Sequence, residues 1–377
     1  MAVQFFVNGM LYSSIIARAP EVRDQIGVTV DEFGLLLATA GVSALVGSLL
    51  AGRIVERWAT RAILTVGGAV AAIALVVIGS ASSPVVFVIA LSVVSFSDVL
   101  IDISMNLQGS WLSGRRPVPV MNRLHGLWSL GSMSGGLLAV GVAAAGVGLA
   151  PHLAGVGALI LLGVAVIAPR LLAADEDADR PAAATPPDRA AAAWVLALVV
   201  LGGIFALVLE QTASDWAAFR LSDDFGASAA VASLAFVAFS FGMVCSRLGG
   251  DFAEARLGRD RLGRVTLVLA TAGLVVVSFA DQQAVVIAAY VAVGAGVATF
   301  LPRLYDEAAK LPGRRGAGLG AMTAGMRIAG FSAPALVGLL AGTDLSVGQA
   351  VAIVTLPAAV GYAVVTEITR RMSRPQQ

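Results

Sequence analysis

Apolar residues run through this chain in long stretches, and the polar residues between them gather into short breaks. The stretches fall at 2–17, 33–51, 62–80, 84–107, 124–147, 150–168, 192–213, 227–248, 262–280, 284–302, 318–341 and 346–367, each near the ~20 residues a helix needs to cross the hydrocarbon core of a bilayer. The pattern predicts an all-α polytopic membrane protein with twelve transmembrane helices. The breaks carry turn or charge signals, among them Pro20, Ser82-Ser83-Pro84, Gly114-Arg115-Arg116-Pro117, Pro151, Asp281-Gln282-Gln283 and Pro312-Gly313-Arg314-Arg315. One break is longer. Residues 169–191 hold Asp175-Glu176-Asp177 and Thr185-Pro186-Pro187 and read as a solvated linker, which leaves a six-span half at 1–168 and another at 192–377.

Composition agrees: 58% of residues are hydrophobic and 13% charged, against about 25% charged in an ordinary soluble domain. The net charge of +1 gives no footprint for nucleic acid. The single cysteine, Cys245, can form no disulfide within the chain. Met1 to Ala17 lacks the basic n-region of a signal peptide, and its Gln4 and Asn8 suit a first span better; the start reads as clipped. Of 25 Lys and Arg, 21 fall in alternate breaks and the C-terminal tail; the other breaks hold only Arg18, Arg23 and Arg220, and Arg327 sits inside a span. The positive-inside rule places the rich set, the linker and both termini in the cytoplasm, as expected of a bacterial-type inner (plasma) membrane protein.

The halves also repeat. Gly52-Arg-Ile-Val-Glu56-Arg57-Trp-Ala59-Thr-Arg61 is echoed by Gly250-Asp-Phe-Ala-Glu254-Ala-Arg256-Leu-Gly258-Arg259, and Gly114-Arg115-Arg116 by Gly313-Arg314-Arg315, at offsets of 198 to 199 residues. Duplication of a six-span unit gives two pseudo-symmetric bundles in the same orientation, with a solute site between them.

The fourth span carries the costliest chemistry. A period of 3.6 sets Asp98, Asp102 and Asn106 on one face with Ser95 beside them, and carboxylates at that depth face a protein interior or a watery cavity rather than lipid. Gln4, Asn8 and Tyr12 form an i, i+4, i+8 stripe on the first span, which reads either as solute contact or as interhelical glue. His125 opens the fifth span and is either a cap or a proton relay. In the seventh span Glu210 and Gln211 lie towards the outer end, with Asp215 expected at the surface. Arg327 lies about ten residues into the eleventh span, near mid-membrane; it is a permanent ion-pair partner, a solute anchor, or a group exchanging between the two, and Asp98 is the acid nearest in depth.

On these motifs the sequence resembles the major facilitator superfamily. Gly52, Glu56, Arg57, Ala59 and Arg61 fill that family's loop motif, with Glu for the usual Asp and Ala for the second Gly. Gln108-Gly109 is similar to the end of the fourth-helix motif, with Met105 where many proton-coupled members have Arg. Gly131-x-x-x-Gly135-Gly136 is similar to the antiporter motif without its Pro. Asn8-Gly9, Asp102…Asn106, His125 and Glu210…Asp215-Trp216 resemble a bacterial branch near the fucose permeases. The resemblance implies that the first, fourth, seventh and tenth helices line the cavity. It also implies that Gly52, Glu56, Arg57 and Arg61, with Glu254 and Arg256 in the echo, latch the cytoplasmic side.

No His-Glu-x-x-His and no Gly-x-x-x-x-Gly-Lys motif occurs, and His125 and His152 are the only histidines, so neither a metal-dependent membrane enzyme nor nucleotide-driven transport is supplied, and no cofactor or metal is expected. A sensor would bring a soluble domain. The expected protein is a monomeric secondary transporter in the lipid bilayer, moving a small polar solute, sugar-like or an organic acid, with protons. Efflux of amphipathic compounds is the alternative. Proton coupling falls to Asp98, Asp102, Glu210 and His125, and solute binding to Gln4, Asn8, Tyr12, Asn106, Gln211 and Arg327.

Overall fold

The computed structural model of the chain describes residues 1–115, 120–172, 189–309 and 317–372. Residues 173–188 of the expected linker lie outside the described residues, as do Arg116 and the Gly313-Arg314-Arg315 repeat. Every regular element described is a helix: α1 (Ala2–Ile16), α2 (Ala19–Ile26), α3 (Val30–Ala62), α4 (Gly68–Ser80), α5 (Pro84–Gly114), α6 (Met121–Ala144), α7 (Leu149–Ile167), α8 (Arg189–Asp215), α9 (Ala217–Phe225), α10 (Ala229–Leu257), α11 (Arg259–Phe279), α12 (Gln283–Val297), α13 (Phe300–Ala309), α14 (Ala317–Ala341) and α15 (Val347–Met372). A π-helical turn at Ile63–Gly67 runs directly into α4.

Among the described residues, ten stretches are long and apolar enough to cross a membrane. Val30–Ser80 counts once among them but folds back at Ala59, where φ is 57° and ψ 149°, so it carries the second and third spans. The first span needs more than α1, whose 15 residues reach only about 22 Å of a core about 30 Å thick. The helix breaks at Ala17–Arg18 and resumes as α2. The seventh span is built the same way: α8 breaks at Trp216 and resumes as α9. Twelve spans result, as the apolar pattern predicts, in two pseudo-symmetric six-helix bundles.

Two boundaries differ from the sequence reading. The seventh span does not stop at 213, and Asp215 is not at the surface but 1% exposed. Arg18 and Arg220 are not loop residues either; both are buried. The guanidinium of Arg220 explains how: it donates to the carbonyls of Val277 and Ala280, each at 2.8 Å, and to Asp224 at 2.7 Å. Arg18 pairs with Glu21 and donates to the Val147 carbonyl. A charge satisfied by carbonyls and an acid can be buried where an unpaired one cannot, so a charge in the sequence did not mark the end of a span.

The short helices end alike. Gly27 (φ 71°) closes α2 and Gly226 (φ 63°) closes α9, 199 residues apart, each in the left-handed conformation that costs glycine little. Each is also fixed to its own bundle: Gln25 donates to the carbonyls of Gly79 and Ala81, while Asp224 accepts from the backbone N–H groups of Val347 and Gly348, both at 2.9 Å, at the start of α15.

The bundles meet through α3 against α14 and α6 against α10. Gly34 and Gly338 let α3 and α14 touch backbone to backbone; a methyl on Gly34 would lie 2.7 Å from the Gly338 Cα. At that arginine-poor end Arg23 pairs with Asp223 and lies over the Phe219 ring, and Ser233 donates to the Ala17 carbonyl at 2.6 Å. Towards the arginine-rich end α6 and α10 still meet, a methyl on Gly126 lying 3.9 Å from Leu248, whereas a methyl on Gly52, Gly249 or Gly250 would meet nothing within 4 Å.

Candidate functional site

A relay of two hydrogen bonds joins three helices of the first bundle and ends on one carboxylate. Trp128 on α6 donates its indole N–H to Asn8 Oδ1 at 2.9 Å, and Asn8 Nδ2 on α1 donates to Asp98 Oδ1 on α5 at 2.8 Å. One turn along α5, Asn106 Nδ2 donates to Asp102 Oδ1 at 3.0 Å and to the Asp102 carbonyl at 2.8 Å. The i, i+4 spacing therefore puts Asp98, Asp102 and Asn106 on one polar stripe. Asp102 is reached by solvent although protein surrounds it, the situation of a group in a deep cavity.

The second bundle faces this stripe with α8, α10, α13 and α14. Arg327 on α14 lies within electrostatic reach of Asp102, Tyr305 and Asp98. Its Nε is buried without a partner, and no ion pair within 4 Å includes it among the described residues. Of the three readings open for Arg327, a direct ion pair with Asp98 is not formed here. Similar depth was not enough, because the two lie on opposite bundles separated by the cavity, and Asp98 is already held by Asn8. Glu210 Oε1 stands 3.7 Å from Arg247 Nη2 on α10, and Arg247 Nη1 crosses to Ser129 Oγ on α6 at 2.8 Å. The other oxygen of Glu210 is buried and unpartnered. Asp215 accepts from Gln211 Nε2 at 3.1 Å and from Ser214 Oγ at 3.0 Å, with Tyr12 of the first bundle within electrostatic reach.

The remaining expected residues fall around this centre. Gln4 is buried with its Oε1 unpartnered. His125 is exposed on α6 with its ring edge-on to Phe5 at 5.4 Å. Glu56 and Arg57 are exposed at the end of α3, and with the half-buried Arg61 they have no ion-pair partner among the described residues. Glu254 is exposed, and Arg256 stacks over Phe252 at 4.2 Å. Gly52 faces open space.

Three cavity groups escaped the sequence reading. Tyr305 was placed beyond the tenth span, whose apolar run stops at Pro302-Arg303. The helix instead breaks after Val297 and restarts as α13, which turns Tyr305, 43% exposed, towards Asp102, Arg327 and Glu210. Arg247 stands at the very end of the 227–248 stretch, where an arginine reads as belonging to the rich break that follows, yet α10 carries it inside a span. Trp128 gave no signal, since an indole in an apolar run looks like packing until its N–H is seen to point at an amide.

Acceptors on α5 and donors on α14 thus face each other across a space open at the arginine-rich end, between bundles that touch at the other. Such a layout can hold a solute with both donor and acceptor groups, and can trade access between its two ends. The sequence profile of the Major Facilitator Superfamily matches residues 1–334.

The chain belongs to the Major Facilitator Superfamily.

This facilitator is 26% identical over 342 residues to an uncharacterised MFS-type transporter of Yersinia pestis, covering 90% of this chain and 85% of that protein. It is 27% identical over 314 residues to the transporter y4wD of Sinorhizobium fredii, covering 82% and 81%, and 24% identical over 315 residues to the membrane protein MosC of Rhizobium meliloti, covering 82% and 75%. Among solved structures its fold is similar to the nucleoside transporter NupG, with a TM-score of 0.74 at 13% identity over 100% of this chain and 98% of that one. It is also similar to a bacterial homologue of the human lysosomal transporter Spinster in an inward-facing, occupied conformation, with a TM-score of 0.67 at 14% identity over 99% and 96%. The facilitator is a multi-pass secondary transporter of small solutes and not an enzyme.

Proposed function

We propose that this facilitator couples movement of a small polar solute, sugar-like or an organic acid, to protons by alternating access. The observation that carries the reading is the pair of carboxylates on α5 facing an unpaired Arg327 on α14 across an open cavity. Arg327 serves the acceptor groups of the solute, Asn106, Gln211 and Tyr305 its hydroxyls, and Asp102 the coupling proton, with Asp98 and Glu210 behind it. The arginine-rich end is cytoplasmic by the positive-inside rule, with both termini on that side of an inner membrane, so the cavity opens inward. Residues 1–168 and 192–377 rock as units about the site, joined by 169–191, in a monomer. The unpartnered Glu56, Arg57 and Arg61 latch the cytoplasmic side in the outward-open state, where such charge-assisted contacts re-form. Nucleosides belong among the first solutes to try, since NupG is a nucleoside transporter and shares the fold.

A thermal-shift screen of the purified protein against sugars, organic acids and nucleosides identifies the solute, because a ligand of the folded state raises the melting point. In liposomes, Asp102→Asn should then abolish accumulation driven by a proton gradient while solute exchange continues. A variant that still concentrates the solute would remove Asp102 from the coupling role.

A further inference from the structure

The hydrogen bonds around Asn8 have a direction. An indole N–H can only donate, so Trp128 fixes Asn8 Oδ1 as its acceptor and leaves the Asn8 NH2 group as the one facing Asp98. Turned over, the amide would offer Asp98 a carbonyl, which can accept from a protonated carboxyl but repels a carboxylate. The two orientations thus favour opposite states of the same acid.

We infer that Trp128 is a positioning residue for Asp98, one of the acids of the coupling set: by locking the Asn8 amide, it keeps a donor on Asp98 Oδ1 and confines the proton carried by Asp98 to Oδ2. The inference rests on the reading of Asp98 as a proton-coupling group. Its geometry is specific to the first bundle, joining α6 to α5 through α1, and Trp128 touches neither the proton nor the solute in it. Other groups facing Asp98 are few. Asp102 follows it on α5, Tyr12 approaches from α1 and Arg327 from α14. On α6, Arg123 is exposed at the start of the helix and His125 faces Phe5 instead, and α3 between Glu32 and Arg53 has no charged residue, nor has α4.

The experiment needs no solute. Infrared difference titration of the detergent-solubilised protein reads the C=O stretch of a buried protonated carboxyl, with Asp98→Asn identifying the band. In Trp128→Phe the amide is free to turn and accept from protonated Asp98 while still donating to the carboxylate, so the Asp98 titration midpoint should move up, but by less than in Asn8→Val, where loss of the whole hydrogen bond to the charged group is worth about one to two pH units. In an Asn8→Val background the midpoint should already be raised, and adding Trp128→Phe should move it no further. An unchanged midpoint in Trp128→Phe overturns the inference while leaving Asp98 a coupling acid, and so does a shift that persists undiminished in the Asn8→Val background, which would mean that Trp128 acts by packing. If Trp128→Phe fails to fold, 3-benzothienylalanine at position 128 keeps the bicyclic ring and removes only the N–H, and an unmoved midpoint there overturns the inference in the same way. A band that never titrates takes down both this inference and the coupling role of Asp98.

Discussion

The α3–α4 and α10–α11 junctions occupy equivalent places in the two bundles and bend in the same way, but they are held by different chemistry. Ala59 (φ 57°, ψ 149°) and Gly258 (φ 74°, ψ 154°) share a backbone conformation 199 residues apart. Only glycine adopts it without strain, and a side chain there costs of order 1–3 kcal/mol. Next to the strained alanine, the fully buried Gln108 donates to Thr60 Oγ1 at 3.0 Å and to the Leu172 carbonyl at 3.3 Å, and accepts from the Leu172 N–H at 3.2 Å. Next to the relaxed glycine the equivalent places hold ions: Arg259 lies 3.3 Å from Asp306 and 3.8 Å from Glu307, and Arg303 lies 3.0 Å from Glu307 and 3.3 Å from Asp260. Duplication kept the bend and not the means of holding it. A dry amide clamp offsets strain in the first bundle, while the second, unstrained, makes do with half-exposed ion pairs of little individual worth.

The sharpest way to break this comparison is to remove the clamp. Gln108→Leu strands the Leu172 backbone groups and should cost about 2–4 kcal/mol, read as a lower thermal unfolding midpoint in detergent, whereas Glu307→Gln at the equivalent place should cost under about 1 kcal/mol. Equal losses would mean that the two junctions are held alike. Smaller and opposite in sign are the backbone exchanges: Gly258→Ala should destabilise by about 1–3 kcal/mol. Ala59→Gly should stabilise by about 1 kcal/mol, the strain relieved less the entropy that glycine loses on folding, and losses in both variants would deny that Ala59 is strained. The smallest effect is screening. Raising salt from about 0.05 M to about 0.5 M shortens the Debye length severalfold, so the already slight cost of Arg259→Gln should vanish at high salt while that of Gln108→Leu stays put.

How much of this was legible in the sequence follows the physics of each residue. Twelve spans could be read because lipid demands long apolar runs, and the α5 stripe because carboxylates in such a run are rare. The repeat could be read from Gly52…Arg61 and its echo, down to Ala59 standing where the echo has Gly258. The breaks at Arg18 and Trp216 could not, because a charge in the sequence looks like the end of a span until the carbonyls that satisfy Arg220 are in view. Tyr305 and Arg247 were lost for the same reason, each lying past or at the first charge after an apolar run. The missing Asp98–Arg327 contact shows the limit of depth alone: two residues at one level of the membrane can still belong to walls that stand apart.

The anchoring of α2 and α9 sets how the closed end can open. Gln25 and Arg18 bind one short helix, and Arg220 and Asp224 bind the other, so neither can fray to let Arg23 and Asp223 drift apart by degrees. The pair separates only when whole bundles turn, which makes its rupture a single event with one barrier. The switching rate should then be single-exponential, with the gate behaving as a latch that snaps rather than a hinge that swings.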